Sequence, residues 1–117
     1  MSKNPRIAVI GAGSITFTRN LMHDILSVPE LRGVEFAFMD ISEQNLDMMA
    51  RLARRDVEAG GLPAKIIATT DRREAIKGAD YVLCLIRQGG LEAFATDVDI
   101  PLRYGVDQCV GDTLCTG

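Results

Sequence analysis

The sequence predicts an α/β domain of the Rossmann type, with a doubly wound parallel sheet. Four short apolar runs alternate with segments of helical periodicity, an order typical of βαβ units joined by right-handed crossovers. In addition, the first run ends in Gly11-Ala12-Gly13 and a helical pattern follows at once, as in dinucleotide-binding domains. We therefore expect the four strands to lie in the order 3-2-1-4.

The first strand and helix follow from one apolar run and the periodic segment after it. Residues Arg6–Ile10 have the composition of a strand buried on both faces. Ser14 is a suitable N-cap for the helix that follows, and Pro29 ends that helix. The expected apolar face of this helix consists of Phe17, Leu21, Ile25 and Val28, with Met22 and Leu26 beside them.

The next two βα units are predicted in the same way. The second strand is expected over residues 34–39 and the third over Lys65–Thr69. Ser42 is the predicted cap of the second helix, and Asp71 with Glu74 three residues later resembles a capping box for the third. The buried face of the second helix is expected to comprise Leu46, Met49, Ala50, Ala53 and Val57.

The last strand and helix complete a single predicted domain over residues 1–117. The fourth strand is expected at residues 81–86, and it contains Cys84 as a small apolar residue. Residues 91–104 are expected to be helical in two pieces, because Pro101 fits a first helical turn better than a helix interior. The edge and faces of strand four are predicted to be open, which favours self-association or a homo-oligomer.

Composition and charge exclude several classes of function. The 117 residues carry a formal net charge of -3 and no basic stripe, so nucleic acid is not an expected partner. The apolar runs are far shorter than the ~20 residues that a membrane helix needs, and no secretory segment precedes the first strand, so we predict a cytoplasmic protein. Three cysteines without CxxC spacing and one distant histidine predict no metal site within this chain.

The glycine turn is the motif that carries the predicted chemistry. Gly11 permits a sharp turn, Gly13 has no side chain to exclude a pyrophosphate, and the N–H groups at the helix start attract negative charge. Thr16 replaces the usual third Gly or Ala, so helix and strand are expected to pack less closely there. The alternative is a tight turn that binds no ligand. The predicted cofactor-binding residues of this turn are Gly11, Ala12, Gly13, Ser14 and Ile15.

Two charged residues extend this predicted site. Asp40 ends the second strand, where a carboxylate can accept both adenosine ribose hydroxyls and repel a 2'-phosphate, which favours NAD over NADP. An acid at the start of the second helix, next to Ser42, is the alternative interpretation of Asp40. Arg87 follows the fourth strand, at the edge of the sheet where ligands collect, and a solvated loop charge is its alternative.

Four motifs occur in order along the chain: residues 10–14 (IGAGS), 86–91 (IRQGGL), 100–106 (IPLRYGV) and 111–114 (GDTL). Taken together, they resemble the amino-terminal part of the family 4 glycoside hydrolases, which are NAD- and manganese-dependent glycosidases. The resemblance implies an unusual reaction. In that family, bound NAD takes a hydride from sugar C3, and a tyrosine removes the C2 proton of the resulting ketone. The glycosidic oxygen is then eliminated, water adds, and the hydride returns.

The resemblance also implies roles for particular residues. Gly11, Gly13 and Ser14 would hold the pyrophosphate, Asp40 the ribose, and Arg87 would lie near cofactor and substrate. Asp112 matches an acidic position that makes the catalytic tyrosine more basic. The alternative interpretation of Asp112 is an ordinary loop aspartate. Members that cleave phosphorylated sugars commonly have arginine at the position of Phe94, so the resemblance implies an unphosphorylated substrate. The stretch 111–114 (GDTL) most resembles the α-galactosidase branch and the related α-glucosidase and α-galacturonidase branches, so the expected substrate is an α-glycoside.

The metal ligands, the catalytic acid and the tyrosine of the family lie downstream of these residues. We therefore expect a truncated glycosidase that binds NAD and does not cleave sugar on its own. A free-standing NAD sensor or regulatory module is a second hypothesis, because Cys115-Thr116-Gly117 replaces the glycine-rich continuation of the family. A dehydrogenase of 2-hydroxyacids, which shares the architecture, is a third.

Overall fold

The structure is a computed structural model, and it describes residues 4–108. The chain divides after Ile86 into two compact units. The strands and helices of the first unit are β1 Arg6–Ile10, α1 Ile15–Ser27, a short 3-10 turn Pro29–Leu31, β2 Glu35–Met39, α2 Glu43–Ala59, β3 Lys65–Thr69, α3 Arg72–Ile76 and β4 Tyr81–Cys84. The second unit contains α4 Gly90–Arg103.

The four strands form one parallel sheet in the order β3-β2-β1-β4, which confirms the predicted topology. Ile7 in β1 pairs with Phe36 in β2 on one side and with Tyr81 in β4 on the other. Because all strands run in the same direction, the loops that leave β1 and β2 meet at one edge of the sheet, where ligands of open α/β folds bind.

The core is built on both faces of β1 and β2. On one face, side chains of β1 and β2 pack against α1 and α2. The rings of Phe36 and Phe38, both almost completely buried, lie 5.9 Å apart there. On the other face the smaller residues Ala8 and Ala37 pack with Ala75 of α3. The buried residues of α2 are the predicted ones, Leu46, Met49, Ala50, Ala53 and Val57.

The buried face of α1 differs from the predicted one. Thr18, Met22 and Leu26 are buried, whereas Phe17 is 66% exposed and Val28 is 41% exposed. The hydroxyl of Thr18 donates a hydrogen bond to the Ala12 carbonyl at 2.9 Å. This buried polar contact places Thr18 on the sheet side, and residues four and eight positions later then follow it inward.

The helix caps confirm part of the sequence interpretation. Ser42 caps α2, since its side chain accepts the Asn45 N–H at 3.3 Å, and Asp71 caps α3. The reciprocal bond of a capping box is absent from α3. Glu74 accepts instead from the Thr69 hydroxyl at 2.8 Å, and the same hydroxyl oxygen accepts the Asp71 N–H at 3.1 Å.

Two boundaries and one break differ from the expectations. The second strand begins at Glu35 and the fourth ends at Cys84, so each is shorter than predicted. The helix α4 is continuous through Pro101, which lies in its last turn. Pro101 has no N–H group to donate, but only Leu102 and Arg103 follow it in α4, so a distortion at the proline affects little of the helix. Gly105, with φ +75°, follows the C-cap.

The edge strand β4 is more exposed than the inner strands. Tyr81 is 50% exposed, Val82 is 48% exposed, and the Cys84 side chain is an exposed free thiol rather than a buried apolar residue. The inner strand β1 is covered on both faces, whereas β4 has a neighbouring strand on one side only. Among residues 4–108, no helix is long and apolar enough to cross a membrane.

Candidate functional site

The turn after β1 is fixed by the ends of its two neighbouring strands. The N–H groups of Gly11 and Ala12 both donate to the Met39 carbonyl of β2 at 2.9 Å. On the other side, the Leu85 N–H donates to the Ile10 carbonyl at 2.7 Å. Gly11 has φ +90°, and a Cβ atom there would overlap the Leu85 carbonyl oxygen. Backbone conformation and space therefore both require glycine at position 11.

Asp40 joins this turn to the start of α2. Its Oδ2 accepts the Gly13 N–H at 2.8 Å, and its Oδ1 accepts the Ser42 N–H at 2.9 Å. A Cβ atom at Gly13 would lie 2.6 Å from Asp40 Oδ2 and 2.9 Å from the Asn45 Cβ. The structure thus brings together the glycine turn and the acid that the sequence placed one strand away. The alternative interpretation of Asp40, as an acid at the start of α2, also agrees with the structure, because its carboxylate accepts the Ser42 N–H.

The first turn of α1 carries the N–H groups that an anion would meet. The Ser14 N–H donates to the Gly11 carbonyl at 3.1 Å, and the first bond of the helix runs from the Thr18 N–H to the Ser14 carbonyl at 2.9 Å. Within the part of the chain that the structure describes, the N–H groups of Ile15, Thr16 and Phe17 have no acceptor. Donors left unpaired at the positive end of a helix attract anions.

The predicted residues of the turn therefore divide into two groups. The N–H groups of Gly11, Ala12, Gly13 and Ser14 are used within the protein. Among the predicted residues, only Ile15 has an unpaired N–H group. Thr16 and Phe17, which are outside the predicted set, have unpaired N–H groups as well. The rule that the first turn of a helix leaves its donors unpaired could have found these two residues. Ser14 occupies the N-cap position as predicted, but its side chain makes no capping hydrogen bond.

Thr16 does not loosen the contact between helix and strand. It lies on an exposed side of α1. The residue that approaches the turn is Thr18, through the buried hydrogen bond to Ala12. The predicted looser packing at Thr16 is therefore wrong, because the side chain at that position does not face β1.

A cavity of about 560 Å³ lies beside the carboxyl ends of β2 and β3. Ile41, the residue after Asp40, is 92% exposed at this edge. The side chains of Arg72 and Arg73 have no ion pair or hydrogen bond among residues 4–108. The cavity combines apolar and basic side chains, and Met39 and Ile41, the two chain neighbours of Asp40, line it. Its lining residues are Met39, Ile41, Thr70, Asp71, Arg72 and Arg73.

Arg87 belongs to the second unit. There its guanidinium carbon lies 4.7 Å from the centre of the Phe94 ring, a cation–π contact. Gly89 and Gly90, with φ +83° and +62°, form the turn between Arg87 and α4. The predicted closeness of Arg87 to a cofactor stays a prediction. Asp112 lies outside the described residues.

A second polar cluster joins α1 to α2. Asp56 accepts from Arg19 Nε at 2.8 Å and lies 2.9 Å from His23 Nε2. The hydrogen bond from Arg19 holds the pKa of the Asp56 carboxyl below its ordinary value; burial opposes this shift, and the hydrogen bond from His23 adds to it. His23 is thus a hydrogen-bond partner of Asp56 at the surface.

The described residues contain no group of three His, Cys, Asp or Glu side chains that could hold a metal ion. Manganese is therefore not assigned to any residue between 4 and 108. The unpaired N–H groups at α1 and the cavity beside Asp40 remain the arrangement with the chemistry of a binding site. It combines anion-attracting amides, a carboxylate and a partly apolar pocket along one edge of the sheet.

The sequence is similar to those of known proteins over nearly its whole length. A family model described as "Family 4 glycosyl hydrolase" matches residues 6–117. The "Alpha-galactosidase" of Rhizobium meliloti (strain 1021) is 62% identical over 112 residues, 96% of this chain and 23% of that protein. The "Probable 6-phospho-beta-glucosidase" of Bacillus subtilis (strain 168) is 41% identical, over 91% of this chain and 24% of that protein.

A solved structure gives the same result for the fold. The 6-phospho-beta glucosidase from Thermotoga maritima, with manganese, NAD+ and glucose-6-phosphate, has a TM-score of 0.74 and 33% identity to this chain. The match covers 90% of this chain and 25% of that one. The chain thus spans about a quarter of the length of the proteins that it matches.

Proposed function

This chain belongs to the family 4 glycosyl hydrolases, and from that premise we propose that it is the NAD-binding part of an NAD- and manganese-dependent glycosidase. The observation that carries the proposal is the set of unpaired N–H groups at Ile15, Thr16 and Phe17, one loop away from the Asp40 carboxylate. The proposed domain comprises residues 1–117. It corresponds to about a quarter of the length of each relative.

Bound NAD would supply the hydride acceptor and donor of the glycosidase reaction. The chain's own residues bind and orient it. The first-turn amides of α1 take the pyrophosphate, because three unpaired donors and the helix dipole attract negative charge at one place. The glycines of the preceding turn keep the backbone close to β2, so Gly11, Ala12, Gly13 and Ser14 shape this place even though their own N–H groups are used.

Asp40 would select the unphosphorylated ribose. Each carboxylate oxygen can accept more than one hydrogen bond, so the bonds to Gly13 and Ser42 leave acceptor capacity for ribose hydroxyls. A 2'-phosphate beside this carboxylate would be repelled, which favours NAD over NADP. The cavity next to Ile41 is the proposed place for the adenine, because an exposed apolar side chain there would be covered by the base.

The proposed substrate is an unphosphorylated α-glycoside. Support comes from Phe94, which stands where relatives that cleave phosphorylated sugars commonly have arginine, and from the 62% identity to an alpha-galactosidase. Its ring lies under the Arg87 guanidinium, a contact that a second arginine could not make. We propose that Arg87 lies near cofactor and substrate in the whole enzyme, and that Asp112 supports the base.

The chain by itself is proposed to bind NAD without cleaving sugar. Residues 4–108 contain no metal-binding cluster, so no step of the reaction is assigned to a metal held by them. A free-standing NAD sensor would share the same binding site and differ only in lacking the remainder of a glycosidase. Membership of the family favours the glycosidase over the dehydrogenase of 2-hydroxyacids.

Proline at position 15 tests the proposed binding site directly. Ile15 is the first residue of α1, a position at which proline is well tolerated, so Ile15→Pro removes one N–H group and leaves the helix intact. Loss of one hydrogen bond to a charged group should weaken NAD binding by about tenfold or more. Glu43→Pro, at the same position of α2 behind the Ser42 cap, is the matched control and should leave NAD affinity unchanged.

Calorimetry with NAD and NADP is the measurement. The wild-type protein should bind NAD more tightly than NADP. Equal loss of NAD affinity in the two proline variants, with both still folded by circular dichroism, would refute the assignment to α1. With the full-length protein, NAD and manganese, faster cleavage of a 6-phospho-glycoside than of an α-galactoside would overturn the proposed substrate class.

A further inference from the structure

The carboxylate of Asp40 holds two loops at once. Oδ2 accepts the Gly13 N–H of the loop between β1 and α1, and Oδ1 accepts the Ser42 N–H of the loop between β2 and α2. We infer that Asp40 is a positioning residue for the pyrophosphate of the cofactor, in addition to any contact with ribose. By fixing Gly13, it holds the start of α1 in place for an anion. This inference rests on the proposed function.

Packing around Gly13 supports this role. A Cβ atom at position 13 would lie 2.6 Å from Asp40 Oδ2 and 2.9 Å from the Asn45 Cβ. Gly13 has no positive φ, so the backbone conformation does not demand glycine there. Glycine at this position is therefore explained by the close approach of Asp40 and the start of α2, without any ligand. Gly13, Asp40 and Asn45 are thus packed against one another in the protein without a ligand.

The hydrogen bonds of the turn show what Asp40 adds. The Met39 carbonyl holds Gly11 and Ala12, and the Thr18 hydroxyl holds the Ala12 carbonyl. Only the Asp40 carboxylate accepts the N–H of Gly13, the residue two positions before the first unpaired donor at Ile15. The bond from Gly13 to Asp40 is thus the last contact with a side chain before the unpaired N–H groups of α1 begin.

Charge and positioning predict opposite effects of removing this carboxylate. A negative side chain beside an anion repels it, so loss of the charge alone would strengthen anion binding. Loss of the anchor would weaken anion binding, because the N–H groups would no longer be held in a fixed arrangement. An anion without ribose separates these effects from the contact between Asp40 and ribose.

The experiment measures binding of inorganic pyrophosphate by calorimetry to the purified protein without divalent metal. Asp40→Asn keeps the size and one oxygen, but replaces the second acceptor by an amide nitrogen. We expect its pyrophosphate affinity to fall by about tenfold, because the neutral amide has one acceptor oxygen for the N–H groups of Gly13 and Ser42, and neither bond is then to a charged group. Glu43→Gln, the control, removes a charge from the exposed first turn of α2 at the same sheet edge, and its affinity should stay within about twofold.

A double-mutant cycle with Gly13→Ala gives an independent measurement. The added methyl group would displace the Asp40 carboxylate, so both substitutions break the same contact. Their effects on pyrophosphate affinity should then be less than additive. If the methyl group instead blocks the anion directly, the two effects add, and the inference fails. Hydrogen exchange at the Gly13 amide of the ligand-free protein should be faster in Asp40→Asn than in the wild type.

The outcomes separate this inference from the proposed function. Unchanged or stronger pyrophosphate binding in Asp40→Asn, or unchanged exchange at Gly13, overturns the positioning role while NAD binding by the wild type stands. A wild-type protein that binds NAD and not pyrophosphate also overturns it, because the loop then holds no anion alone. A folded wild-type protein that binds neither compound refutes the proposed function itself.

Discussion

Replacement of Gly11 by alanine tests how much the close approach of the turn after β1 to the residue after β4 contributes to the free energy of unfolding. With φ +90°, alanine at this position adopts a left-handed conformation that costs about 1–2 kcal/mol. Its Cβ atom would also overlap the Leu85 carbonyl, and displacement of packed atoms of this kind costs about 1–3 kcal/mol more. The expected loss in free energy of unfolding is therefore about 2–5 kcal/mol.

Gly78→Ala is the matched control for this prediction. Gly78 has φ +75°, and a Cβ atom there would meet nothing within 4 Å, so only the conformational cost applies. The reduced freedom of the unfolded chain on replacing glycine by alanine is the same for both variants and cancels in the comparison. The difference between the two variants thus measures the overlap with Leu85.

Urea unfolding followed by circular dichroism gives both free energies, provided that the slope of the transition is unchanged. The Gly11 variant should be less stable than the Gly78 variant by at least about 1 kcal/mol. Equal destabilisation in the two variants would refute the reasoning, because the close approach of the Leu85 carbonyl would then carry no energetic cost. The Gly11 variant should also bind NAD more weakly, since the turn leads into α1.

Three further predictions concern the helices and the open edge. The Arg19 hydrogen bond lowers the pKa of Asp56 below its ordinary value of 3.8, so Asp56→Asn should reduce the free energy of unfolding at pH 7. The difference from the wild type should shrink as the pH falls below about 4, because the wild-type carboxylate is then protonated. Urea unfolding at pH 7 and pH 3 measures this difference. Thr18→Val should destabilise the protein by about 1–2 kcal/mol through loss of its buried hydrogen bond, whereas the exposed Thr16→Val should stay within about 0.5 kcal/mol, and equal effects would contradict the observed helix face. The chain Met1–Gly117 should self-associate in sedimentation velocity, and Val82→Lys on the exposed edge strand should reduce this association; a wild-type monomer at high concentration would contradict the prediction.

Much of the fold could be predicted because its signals are local. The bounds of β1 and β3 are confirmed to the residue, and so is the buried face of α2, whose apolar residues occupy one side of the helix. In α1, by contrast, apolar residues occur on several sides, so periodicity alone does not choose among them. The choice depends on the buried Thr18, a polar residue that an apolar pattern does not include.

The candidate site was predicted by position but not by its hydrogen bonds. The parallel order of the strands is sufficient to bring Asp40 to the glycine turn. Which N–H groups are already used depends on the Asp40 side chain and on the Met39 carbonyl, neither of which a motif specifies. The exposure of Cys84 likewise depends on its strand being at the edge of the sheet, a property of the assembled topology rather than of the strand's own composition.

The two hydrogen bonds of Asp40 have a consequence for protein engineering. In this fold the acid after the second strand binds the ribose of NAD, so a change of coenzyme preference to NADP would begin with the exchange of this acid. In this protein that exchange would also remove the acceptor of the Gly13 N–H group, which holds the turn of the proposed coenzyme site. A successful redesign must therefore install a replacement acceptor for the Gly13 amide before the acid is changed.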